Sequence, residues 1–256
     1  MKMERGRLFT IVTEQEPVDR RPAGRHDGRM LSTPFDDDAC RDGFRERITA
    51  NLRRFTVCAK NGLAKRRAAV AVTVVEAGHG AEVDGLPRHP QWDTRAAVVL
   101  TRRAAGLRHH AGQWAFPGGR MEDGERPEDT ALRELAEEVG LQLTSDRIMG
   151  HLDDFTTRSG FTITPVVVWG GPVRRLTPNP GEVASVHRIP VQELMRPDAP
   201  ILESIPASRH PVLLMPVGRS WIAAPTAAIL YQFREVAIRG RATRVAHYEQ
   251  PYFAWR

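Results

Sequence analysis

Three glutamates in one short stretch carry the first chemical signal in this sequence. Glu134, Glu137 and Glu138 stand in Arg133-Glu134-Leu135-Ala136-Glu137-Glu138-Val139. On a helix, at about 100° per residue, they share an arc of roughly 100°, with Leu132, Leu135, Ala136 and Val139 gathered opposite. Like charges held that close repel unless a cation neutralises them. An all-oxygen ligand set suits a hard divalent ion, Mg²⁺ first and Mn²⁺ second. Arg133 lies beside the carboxylates and Glu125 precedes them, so an Arg–Glu pair is expected to orient the ligands from behind. A solvated charged face is the other reading of such a helix taken alone.

The flanking residues specify the element that must hold these groups. Pro127 suits a first helical position, Glu128 and Asp129 complement the positive helix end, and Gly140 is a C-terminal stop. A helix over 127–139 follows. Phe116-Pro117-Gly118-Gly119 ends the preceding strand in a turn that brings backbone close to a ligand. Upstream, Arg102, Arg103, Arg108, His109 and His110 crowd nine residues. Guanidinium groups grip phosphate in a bidentate manner, so Arg103 and Arg108 are candidate substrate contacts, surface ion pairing being the alternative. No histidine here has a zinc-type spacing partner.

Around this centre the pattern alternates between strand and helix. Residues 1–40 mix charges, glycines and prolines without period and read as an N-terminal arm; 41–66 read as a helix and linker, with Phe44, Ile48, Leu52 and Phe55 forming an apolar stripe. Strands are expected at 67–76, 95–101, 147–154 and 162–169, a loop at 78–93, a short helix at 191–195 and a last helix at 225–239. The sum is an α/β domain over 67–240, a mixed sheet between helices, followed by an aromatic tail, 241–256, packed on the domain edge.

Composition excludes several classes. The chain has 256 residues, 41% of them hydrophobic, so a real core can form and whole-chain disorder is ruled out. Apolar runs such as 68–75 are far shorter than the ~18 residues of a membrane span. Two cysteines are too few for a disulfide scaffold, and no secretory signal is visible at Met1-Lys2-Met3-Glu4-Arg5, so a cytoplasmic setting is expected. The net charge of +6 is compatible with nucleic acid, an anionic membrane surface or a phosphorylated small molecule.

The full string from Gly119 through Glu125 and Arg133-Glu134-Leu135-x-Glu137-Glu138-x-Gly140-Leu141 resembles the Nudix box at every defined position. The resemblance implies a Nudix α/β/α sandwich and Mg²⁺- or Mn²⁺-dependent hydrolysis of a nucleoside diphosphate linked to another group. It implies Glu134 and Glu138 as principal metal ligands, Glu137 assisting, and the Gly119 carbonyl completing the site. Glu134, Glu137 and Glu182 are candidates for the base; Glu182, in Asn179-Pro180-Gly181-Glu182-Val183, looks like the extra glutamate many Nudix enzymes keep on a loop, an ordinary exposed acid being the alternative.

The segment Leu100–Gly119 is similar to the signature of the coenzyme A pyrophosphatase branch, with Arg103, Arg108 and His110 matching it. Trp114 stands where that branch has Val or Ile, and is expected either to line the pocket or to face the core. Ser159-Gly160-Phe161 and Ile222–Ala227 are further branch-like pieces. The resemblance thus implies hydrolysis of coenzyme A or acyl-CoA to 3′,5′-ADP and (acyl-)4′-phosphopantetheine. Two alternatives are carried beside it: another nucleoside diphosphate derivative (ADP-ribose, an NDP-sugar, a damaged nucleotide), and a non-catalytic nucleotide-binding module. The expected partner is a small phosphorylated nucleotide rather than nucleic acid or a membrane, the basic cluster lying beside the carboxylate helix; the oligomeric state, a homodimer included, is left open.

Overall fold

The computed structural model describes residues 40–60, 66–106, 112–206 and 208–251. The expected arm at 1–40 lies outside the described residues except for Cys40. The order is α1 (Asp42–Arg54), β1 (Arg66–Gly80), β2 (Arg88–Arg103), β3 (Trp114–Ala115), β4 (Gly118–Arg120), α2 (Pro127–Val139), β5 (Ile148–His151), β6 (Phe155–Thr156), β7 (Phe161–Gly171), β8 (Val183–Pro190), α3 (Val191–Leu194), β9 (Ile201–Glu203), β10 (Val212–Val217), β11 (Ser220–Ala223) and α4 (Thr226–Gln232), which runs on as a π-helix over Phe233–Ile238.

β1 is the axis of the main sheet. It runs parallel to β7, Arg66 opposite Phe161 through Val74 opposite Trp169, and antiparallel to β2, Val74 opposite Val98. β2 carries β8 on its outer edge, and β7 carries β5 and β6 on its own. Beyond Val74 toward the start of β1, the two central strands part, and the segment 114–120 fills the fork: β4 pairs with Ala68–Val70 of β1, and β3 with Thr101 and Arg102 of β2. The glycine turn is therefore built into the middle of the sheet rather than hung at its rim.

Side chains of β1 alternate between faces. Ala69 and Ala71, with Val166 and Val168 of β7, pack against Ala131, Leu135 and Val139 of α2. Val72 and Val74, with Val167 and Trp169, face a larger core that includes Phe44, Ile48 and Leu52 of α1 and Ile229, Leu230 and Phe233 of the last helix. The result is the α/β/α sandwich, helices on both faces of a mixed sheet. A second, small antiparallel sheet, β9–β10–β11, joins the larger core through Leu213, Met215 and Ile222.

Three expectations are corrected. Residues 78–93 are not a loop: β1 and β2 continue as a hairpin, leaving only 81–87 between them. Two of the glycines that suggested a loop, Gly78 and Gly80, sit at register shifts of that hairpin, and the third, Gly85, is in its turn. The last helix is α-helical only to Gln232, with five-residue spacing beyond. The expected strand at 147–154 is paired only over Ile148–His151, because Asp153 and Asp154 turn inward. In the tail, Val245 and Gln250 are buried and Tyr248 meets Tyr231 edge-on.

Candidate active site

α2 is fixed at both ends. Pro127 opens it, the Arg126 backbone N–H donates to Asp129, and Gly140 closes it at φ +67, its N–H reaching the Ala136 carbonyl. Two further carbonyls of the last turn are taken by backbone N–H groups of the following loop. Glu138 O accepts from Asn179 N at 2.9 Å and Val139 O from Thr177 N at 2.8 Å. These two bonds moor the segment between β7 and β8 to the helix end. Satisfying the orphan carbonyls thereby brings Glu182 over the helix.

Glu134 and Glu138, one turn apart, flank the buried stripe of α2 and are themselves buried; Glu137 is exposed. Oxygens of Glu134, Glu138 and Glu182 all lie within 4.8 Å of one another, a spacing that could hold a metal ion. Glu137 stands one row further out and takes an Arg133 Nη1 hydrogen bond at 3.1 Å. The helical arc is real, but its inner edge meets the loop glutamate and its outer edge meets solvent.

The electrostatics fit a cation. Burial pushes Glu134 above the ordinary carboxylate range. Burial, then the charges of Glu134 and Glu182, push Glu138 up to about 8, while Arg103 and the Gly118 N–H act in the opposite sense. A Cβ at Gly119 would meet the Glu134 carboxylate, so any larger residue there would displace that side chain from its place.

Arg133 is the hub behind this pair. It donates Nε to Glu125 at 2.8 Å, Nη1 to Glu134 at 2.9 Å and Nη2 to the Arg120 carbonyl at 3.2 Å. Glu125 also accepts from Thr130 Oγ1 at 2.6 Å and from the Glu122 N–H at 2.9 Å. The Arg133 hydrogen bond leads in holding the Glu125 carboxyl down at about 2. One guanidinium thus ties the loop before the helix, the glycine strand and a buried carboxylate into one rigid piece.

Arg103 ends β2 near Glu138, its Nε buried without a hydrogen-bond partner among the described residues. Arg108 and His110 lie outside the described residues. Trp114 faces the core: it is buried on the face away from α2, under the Arg102 guanidinium at 4.1 Å and edge-on to His187. Sequence reasoning did not single out Thr130 or Asn179; a threonine five residues after Glu125 and an asparagine three before Glu182 were the only signals.

A family model of the NUDIX domain matches residues 88–207. Among curated proteins the chain is similar to the Nudix hydrolase NudL of Pectobacterium atrosepticum, itself uncharacterized, at 38% identity over 53% of this chain and 72% of that one. It is also similar to Nudix hydrolase 3 of Caenorhabditis elegans, at 43% identity over 41% of this chain and 45% of that protein, so the match spans less than half of that relative. Among solved structures, the NUDIX domain of Shewanella oneidensis NrtR, determined with ADP ribose, is matched at 19% identity and TM-score 0.41, covering 73% of this chain and 96% of that one. Proteins of this family generally use divalent metals such as Mg²⁺ or Mn²⁺. With the glycine strand, the carboxylate helix and the NudL match in agreement, the chain belongs to the Nudix hydrolase family.

Proposed function

We propose that this protein is an Mg²⁺- or Mn²⁺-dependent pyrophosphohydrolase that cleaves coenzyme A or acyl-CoA to 3′,5′-ADP and (acyl-)4′-phosphopantetheine. The observation that carries the hydrolase reading is the convergence of Glu134, Glu138 and Glu182 from a helix and a moored loop. A bound divalent ion there supplies charge screening for the diphosphate and a lowered pKa for its water. Glu134 and Glu138 hold the ion, with Glu137 at the periphery and the Gly119 carbonyl alongside. Glu182, the exposed member, is free to take the proton of the attacking water; Glu134 and Glu137 are the other candidates for that base. Arg133 and Glu125 keep Glu134 in place while charge shifts during the reaction. Arg103, with Arg108 and His110, meets the phosphates.

The coenzyme A specificity rests on the arginine-bearing segment before the glycine turn. Trp114, which departs from that branch, is buried in the core on the far face and so takes no room from the carboxylate site. No described helix is long and apolar enough to cross a membrane, and we place the reaction in the cytoplasm. Incubation of coenzyme A with the protein and Mg²⁺ should release 3′,5′-ADP and 4′-phosphopantetheine, resolved chromatographically. Turnover of ADP-ribose or an NDP-sugar without turnover of coenzyme A or its acyl esters would overturn the specificity and leave the reaction class standing. Absence of turnover across that panel would favour a binding module.

A further inference from the structure

The end of the sheet that carries the glycine turn is ringed by arginine. Arg66 and Arg67 open β1, Arg102 and Arg103 close β2, and Arg120 closes β4; antiparallel pairing brings all five to one end. None of them makes an ion pair with a described residue, whereas Arg133, Arg158, Arg196 and Arg244 all do. Arg67 and Arg103 project toward the α2 face by strand alternation. Arg66 and Arg120 project to the other face.

Those two share one aromatic support. The Arg120 guanidinium lies 5.1 Å from the centroid of the Phe161 ring, and that of Arg66 lies 5.6 Å from it. Both arginines are exposed, and Phe161 is half-buried at the start of β7. The other recorded tie is a long one, Arg66 Nη1 to the Ser159 carbonyl at 3.5 Å. Stacking on a ring fixes where a guanidinium sits without consuming its N–H donors, and without neutralising its charge as a carboxylate would. Two such cations on one ring repel each other, a cost that a shared anion removes. The forks that remain open match the oxygens of a phosphomonoester.

The placement sets which phosphate. In β4, Gly119 faces the carboxylate pair and Arg120, the next residue, faces the opposite way. Arg120 thus stands one residue along β4 from the glycine that meets the Glu134 carboxylate, at the strand end nearest the carboxylate site. We propose that Arg66 and Arg120, held on Phe161, form a second anion subsite that reads a ribose phosphomonoester of the substrate and so determines its specificity. This rests on the coenzyme A reading above, whose substrate carries such a phosphate at the 3′ position.

The test compares coenzyme A with dephospho-coenzyme A, which differ only in that phosphate, in wild type and in Arg66→Ala/Arg120→Ala, with Phe161→Leu as a milder variant. Wild type should favour coenzyme A by about tenfold in kcat/KM, mostly through KM; the double variant should bring the two substrates within about twofold by weakening coenzyme A alone, and Phe161→Leu should fall between. Equal losses on both substrates, or no loss, would overturn the subsite. Binding of 3′,5′-ADP and 5′-AMP, measured by calorimetry, gives the same contrast without turnover. Preference for 3′,5′-ADP that vanishes in the double variant supports the subsite even if coenzyme A is not hydrolysed, an outcome that would defeat only the proposed activity; equal binding of the two nucleotides by wild type defeats the subsite.

Discussion

Two pairs of buried carboxylates sit in this domain, and they are built differently. Asp153 and Asp154, between β5 and β6, have their oxygens occupied. Asp153 accepts from the Cys58 N–H at 2.7 Å, from Gln232 Nε2 at 2.7 Å and from Arg244 Nη1 at 2.5 Å; Asp154 accepts from the Lys60 N–H at 2.7 Å and from Thr164 Oγ1 at 2.6 Å. They knot the chain before β1 and the tail after α4 to the body of the domain. Glu134 and Glu138 are buried to a similar depth, yet their surroundings disfavour ionisation and a third acid is aimed at them. Burial alone does not separate a structural acid from a chemical one. What separates them is how far the protein supplies the compensating charge itself: Asp153 meets Arg244 directly, whereas Glu138 makes no ion pair with a described residue.

That contrast breaks most visibly at Glu138. Glu138→Gln should lower kcat/KM by about 10³-fold, about 4 kcal/mol of transition-state stabilisation, while the metal-depleted variant melts at or above the wild-type temperature, since repulsion is relieved. Asp153→Ala should do the reverse: about 3 kcal/mol of stability lost, because Arg244 and Gln232 keep no partner there, with activity per folded molecule retained. Calorimetric melting beside initial rates checks both. A Glu138 variant that is mainly unstable, or an Asp153 variant that is stable but dead, would erase the distinction.

Smaller effects sharpen it. Glu125→Gln weakens the Arg133 hub without touching the carboxylate trio, so metal affinity or activity should fall by about 10- to 100-fold, as for other groups that orient ligands from behind. A pH effect is expected in metal-depleted protein. Glu138 is pushed up to about 8 from an ordinary 4.5, so the fold favours its protonated form. That contribution to stability is full below about pH 4.5 and is lost as pH rises through about 8. Melting temperature should therefore decline across this window, and saturating Mg²⁺ should recover it at the alkaline end. A flat profile would count against the burial of the pair.

The sequence carried the carboxylate helix plainly because everything defining it is local. Pro127, Gly140 and the apolar stripe specify its ends and inner face, and the Glu125–Arg133 pair follows from spacing across the first two turns. A helical wheel could not say which edge of the glutamate arc turns inward. That depends on the mooring of 177–179 to the helix end and on Glu182, a contact across more than forty residues of chain. The knot at Asp153 was illegible for the same reason, its partners coming from Cys58, Gln232 and Arg244. In the fold, the central strands showed as apolar runs, whereas the hairpin at 78–93 was masked by glycines at bulges and prolines at strand starts. The small sheet β9–β11 has its middle strand buried on both faces, so no alternation marked it.

The central claim is that Glu134 and Glu138 hold one divalent ion, with Glu182 beside it. Titration of Mn²⁺ into metal-depleted protein, followed by electron paramagnetic resonance of the free ion, tests it directly in wild type, Glu138→Gln and Asp153→Asn. The account predicts one tight site in wild type and in Asp153→Asn, and loss of that site in Glu138→Gln. Equal binding by wild type and Glu138→Gln would contradict it.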